Sequence, residues 1–159
     1  MDNVMRLLSP SRRGTVSLVI LLALLLLAST SRAAEYVSVN KDGVNIRSGP
    51  GVENEILWEV FASFPLQVLK RTNDWAEVID FEGDKGWIYA PLLDKEKTVI
   101  VKSDSVNMRS GPGTDSPVIA TVKQGVVFKP LEKKNGWVKV SHKDDLTGWI
   151  LGELLWPND

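Results

Sequence analysis

The chain has 159 residues, and its 19 Lys and Arg nearly balance its 20 Asp and Glu, which argues against a nucleic-acid partner needing a continuous basic face. It has no cysteine and one histidine, His142. That excludes a disulfide scaffold, a thiolate–histidine nucleophile and a zinc site of ordinary ligand spacing.

Three arginines, Arg6, Arg12 and Arg13, precede an apolar run from Val16 to Ala28 that only Ser17 interrupts. Ser29-Thr30-Ser31-Arg32-Ala33-Ala34 follows. A basic segment, a short apolar core and small residues form the layout of a secretory signal peptide, expected over residues 1–33, with Ala34 as the neighbouring cleavage position. The run falls short of the ~20 apolar residues that span a bilayer. If the leader stays uncut, it anchors the chain with the remainder outside. Either way the expectation is export, to a bacterial periplasm or to the extracellular envelope.

After the leader the chain repeats itself at a displacement of 62 residues. Val44-Asn45-Ile46-Arg47-Ser48-Gly49-Pro50-Gly51 recurs as Val106-Asn107-Met108-Arg109-Ser110-Gly111-Pro112-Gly113. Trp75 falls on Trp137, and Gly86-Trp87-Ile88 falls on Gly148-Trp149-Ile150. Two domains are therefore expected, over 35–95 and 98–157. Their charges differ. Residues 36–94 carry five basic and ten acidic residues, net −5, whereas 98–156 carry eight and six, net +2.

Each copy reads as β. Val44 and Ile46 alternate with Asn45 and Arg47, the period of a half-buried strand, and Gly49-Pro50-Gly51 stops it. The glycines are taken as positions that permit positive φ. Asn73-Asp74 and Asn135-Gly136 mark tight hairpins, and Leu92-Leu93 and Leu154-Leu155 mark a short helical turn before a last strand. About five short strands in about 60 residues predict a small all-β barrel in each copy.

The octapeptide, the Asn-x-Trp hairpin and Gly-Trp-Ile together resemble the bacterial SH3 (SH3b) family across both copies. The resemblance implies two tandem SH3-like five-stranded barrels. It also implies an exported, non-catalytic role: binding a peptidoglycan stem or bridge peptide, or an envelope protein, with no cofactor. The alternative is a membrane-anchored extracytoplasmic interaction or sensor module. Arg47, Gly49, Gly51 and Trp87, with Arg109, Gly111, Gly113 and Trp149, are read as fold-defining. The arginines are expected to bond loop carbonyls, with a ligand carboxylate as the rival role.

Trp58, Phe61, Trp75, Tyr89 and Trp137 are the candidate ligand contacts. Repeat one has Trp58, Phe61, Phe81 and Tyr89 where repeat two has Ala120, Lys123, Lys143 and Leu151. Those aromatics either form an acidic, aromatic-lined surface for an amine-bearing peptide or pack against the second repeat. His142, in Ser141-His142-Lys143-Asp144, is expected on a polar surface turn. No metal site and no catalytic residue is expected.

Overall fold

Short alternating segments punctuated by turn residues fold into two successions of seven strands. The computed structural model describes residues 33–143 and 146–158, so the expected leader lies, but for Ala33, outside the described residues. The first copy comprises β1 (Glu35–Val39), β2 (Val44–Arg47), β3 (Ile56–Val60), β4 (Pro65–Thr72), β5 (Trp75–Ile79), β6 (Lys85–Tyr89) and β7 (Leu93–Asp94). The second comprises β8 (Val99–Val101), β9 (Ser105–Arg109), β10 (Val118–Lys123), β11 (Val127–Lys134), β12 (Trp137–His142), β13 (Leu146–Leu151) and β14 (Leu155–Trp156). Both sheets run in the same order, β3-β2-β6-β5-β4-β1-β7 and β10-β9-β13-β12-β11-β8-β14. The architecture is all-β, as expected. Each sheet has seven strands rather than about five, because the opening strand also pairs with a two-residue closing strand, β1 with β7 and β8 with β14.

The alternation does what its period requires. In β2, Val44 and Ile46 are buried while Asn45 and Arg47 are half-exposed. Leu66, Ala76, Val78 and Ile88 join them in the first core, and Met108, Phe128, Val140 and Ile150 take corresponding places in the second. Single-turn 3₁₀ helices at Ala90–Leu92 and Gly152–Leu154 precede the closing strands. The β4–β5 and β11–β12 hairpins turn on two residues, with Asn73 and Asn135 both at φ 51° and Gly136 at 79°. Asparagine and glycine are the residues that tolerate this region.

Strand β8 decides how the two copies meet. All three of its residues are buried. Val99 and Val101 enter the second core, but Ile100, pointing the other way, belongs to the core of the first. The corresponding residue of β1 is Ser38, so the interface is written into the difference between the copies. Val127 and Trp156 also pack on the first core, and Trp156 meets Tyr36 edge-on at 5.5 Å between ring centroids. Buried Thr98 donates its hydroxyl to the Ser63 carbonyl at 2.7 Å. Residues 34–159 accordingly form one compact unit.

Two sequence readings need correction. The repeats do pack together, but through Tyr36, Ile100, Val127 and Trp156 rather than the extra aromatics of repeat one. Trp58 and Phe81 cover their own barrel's core instead. His142 is no loop residue: it ends β12, sends Nδ1 to the Val127 carbonyl at 3.0 Å and packs edge-on against Phe128. A carbonyl only accepts, so Nδ1 is the donor.

Candidate ligand groove

The octapeptide forms a strand and the loop that it holds. Arg47 sends Nη1 to the carbonyls of Val52 and Asn54, both at 2.8 Å. Arg109 repeats this on Thr114 and Ser116 at 2.8 and 2.7 Å. The guanidinium closes the Gly-Pro-Gly loop onto its own strand. The backbone adds Ser48 N–H to Glu55 O at 2.9 Å and Ser110 N–H to Pro117 O at 3.0 Å.

The glycines serve a purpose other than the one expected. None of Gly49, Gly51, Gly111 or Gly113 has positive φ. Gly49 and Gly111 leave room for side chains that fold back over them: a Cβ would lie 2.6 Å from Asn54 Oδ1 in one copy and 2.6 Å from Ser116 Oγ in the other. A Cβ at Gly51 would run into the Glu53 carboxylate, whereas Gly113 has open space. Gly51 thus leaves room for the Glu53 side chain, and the second barrel has the shorter Asp115 at that position.

Beside that loop lies a groove of about 540 Å³, lined by Arg47, Val52, Glu53, Trp75, Tyr89 and Leu92 among others. Trp75 and Tyr89 are direct partners across β5 and β6, their rings edge-on at 5.8 Å. Tyr89 is 40% exposed and Val52 75% exposed, so two apolar faces reach solvent next to the Glu53 carboxylate. Such a surface offers an extended chain ring area at low entropic cost, with the Glu53 carboxylate and the Lys41 and Arg47 cations along its lining.

The five sequence candidates separate. Trp75 and Tyr89 share this groove. Trp58 is half-buried over the core beside Gly86, with a buried Nε1 that has no hydrogen-bond partner. Phe61, 44% exposed, stands edge-on to Phe64 at 5.4 Å and lines a different cleft. Trp137 is buried, opposite Leu151 where the first barrel has Tyr89, leaving little ring for a ligand. Trp87 is half-buried opposite Arg47 with the Lys70 ammonium 5.7 Å from its centroid, and Trp149 is buried. Sequence reading missed Val52 and Glu53, although an apolar residue and a carboxylate beside Gly-Pro-Gly were a legible signal. Asp80, Glu82 and Asp84 bring carboxylate oxygens within 4.8 Å of one another, and Asp80 accepts the N–H groups of Glu82 and Asp84 as a turn residue.

The bacterial SH3 domain profile matches residues 40–95 and 102–157. The chain belongs to the bacterial SH3 domain family. Its two SH3 barrels are similar to part of a putative N-acetylmuramoyl-L-alanine amidase of Bacillus subtilis, YrvJ, at 33% identity over 80% of this chain and 27% of that protein. They are also similar to a probable endopeptidase p60 of Listeria monocytogenes, at 29% identity over 64% of this chain and 22% of that one. The chain thus spans about a quarter of the length of these relatives. Among solved structures, NlpC2 from Trichomonas vaginalis aligns at 16% identity with a TM-score of 0.36, covering 79% of this chain and 49% of that one.

Proposed function

We propose that this protein is an exported, non-catalytic tandem SH3 module that binds a peptidoglycan stem or bridge peptide through its first barrel. The observation that carries the reading is the groove in which Trp75 and Tyr89 stand beside Glu53, because it joins aromatic area to a carboxylate on one open face. The second barrel has Leu151 opposite a buried Trp137, so the first barrel is the binding copy. Similarity to the putative N-acetylmuramoyl-L-alanine amidase, and to a probable cell wall amidase of Staphylococcus epidermidis, supports an envelope location. The lack of cysteine, which removes a thiolate nucleophile, supports a non-catalytic role.

The test is sedimentation of residues 34–159 with purified peptidoglycan sacculi at low salt. The intact protein is expected in the pellet, and Trp75→Ala and Glu53→Gln variants mostly in the supernatant. Intact protein left wholly in the supernatant overturns the reading.

A further inference from the structure

A second concave surface lies where the barrels meet, away from the groove described above. It is a cleft of about 690 Å³ whose lining is drawn from both copies. The first barrel supplies Asp42 and the segment Phe61-Ala62-Ser63, and the second supplies Gly125 to Lys129 and Ser141 to Lys143. Glu96 and Thr98 of the connecting segment complete it.

This cleft is built on fixed walls. Asp42 Oδ1 accepts the Ala62 N–H at 2.8 Å, tying the carboxylate to the loop that carries Phe61. Ser63 sits at φ 68°, donates its N–H to Val39 O at 2.7 Å and receives the Thr98 hydroxyl on its carbonyl. A left-handed serine costs on the order of 1 kcal/mol, and the corresponding residue of the second copy is Gly125, at φ 83°. The first copy therefore carries strain that the second avoids, and it carries it in the cleft wall, a common companion of binding sites. Opposite, the Val127 carbonyl holds the His142 ring, and Lys129 pairs with Glu96 at 2.9 Å.

The ionic groups are sorted by wall. The first-barrel wall contributes a carboxylate, Asp42, with one oxygen already orienting it. The second-barrel wall contributes Lys143, besides the Lys129 that Glu96 neutralises. Phe61, 44% exposed, adds an apolar face to the first-barrel wall. A ligand that satisfies these walls carries an amine at one end, a carboxylate at the other and an apolar body between.

We propose that the inter-barrel cleft is a second binding site, for a short zwitterionic peptide whose amine faces Asp42 and whose carboxylate faces Lys143. Phe61 covers the body of the peptide. The site stands independently of the first-barrel groove, and it explains an exposed phenylalanine and a strained serine that the groove leaves unused.

The experiment is an amide NMR titration of residues 34–159 with trialanine and, separately, with N-acetyl-trialanine amide, each to ~10 mM, a range that detects millimolar dissociation constants. Saturable shifts are expected at Phe61, Ser63 and Gly125 with trialanine, and affinity at least about fivefold lower with the blocked peptide. Asp42→Asn keeps the acceptor for Ala62 N–H while removing the charge, and a loss of about twofold to fivefold is expected. Lys143→Asn, chosen because asparagine tolerates the φ of 49° there, should weaken binding comparably. Trp75→Ala, which empties the other groove, should leave this titration unchanged while abolishing sedimentation with sacculi. Absence of saturable shifts, equal binding of the blocked peptide, or shifts confined to Trp75 and Tyr89 overturns the proposal.

Discussion

Truncating Ile100 to alanine tests whether the two barrels are one folding unit. Ile100 belongs by sequence to the second copy but is fully buried in the core of the first. The substitution removes three carbons at ~0.8 kcal/mol each, about 2.4 kcal/mol, before any cavity term. Incomplete collapse of the surroundings raises this to ~3 kcal/mol, within the usual range for such truncations. For a unit of this size each kcal/mol lowers the melting temperature by about 3–4 °C, so a fall of ~10 °C is expected. The informative assay is native-state hydrogen exchange followed by mass spectrometry. Peptides covering β4 and β5 should lose protection although the substitution lies in β8, and β12 and β13 should lose it too. If β9 to β13 lose protection while β2 to β6 keep theirs in full, the shared core is refuted.

Three further outcomes follow from local geometry. Gly86→Ala should cost about 2–3 kcal/mol in urea denaturation, since the new Cβ meets Ile46 and lies 3.1 Å from the Arg47 carbonyl. Gly148→Ala should cost less, because the atoms met there belong mainly to the adaptable Met108 side chain. Arg47→Met should lower stability by about 1–3 kcal/mol and speed exchange in residues 48–55, because two loop carbonyls lose a charged donor; unchanged loop exchange would discount the fork. Thr98→Val keeps shape but removes the donor to Ser63 O, and a loss of about 1 kcal/mol by thermal melting is expected.

Much of each barrel was legible because its causes are local. Period-2 alternation places Val44 and Ile46 inside, and a two-residue turn starting with asparagine sets the β4–β5 register that puts Thr72 opposite Trp75. The glycines were misread because closeness to Asn54 or Ser116 leaves no trace in the glycine itself. His142 was misread because its polar neighbours hide that β12 extends to it, and that Phe128 and the Val127 carbonyl approach from another strand.

By itself the sequence determined the family, the duplication, the strands and the inward faces, because these follow from spacing along one chain. Tertiary structure alone decided which aromatics share a groove and how the barrels join. Tyr36, Ile100, Val127 and Trp156 carry no local mark of an interface. A buried isoleucine in a three-residue strand looks the same whether it faces its own core or its neighbour's, and only the closing of the sheet around it reveals which.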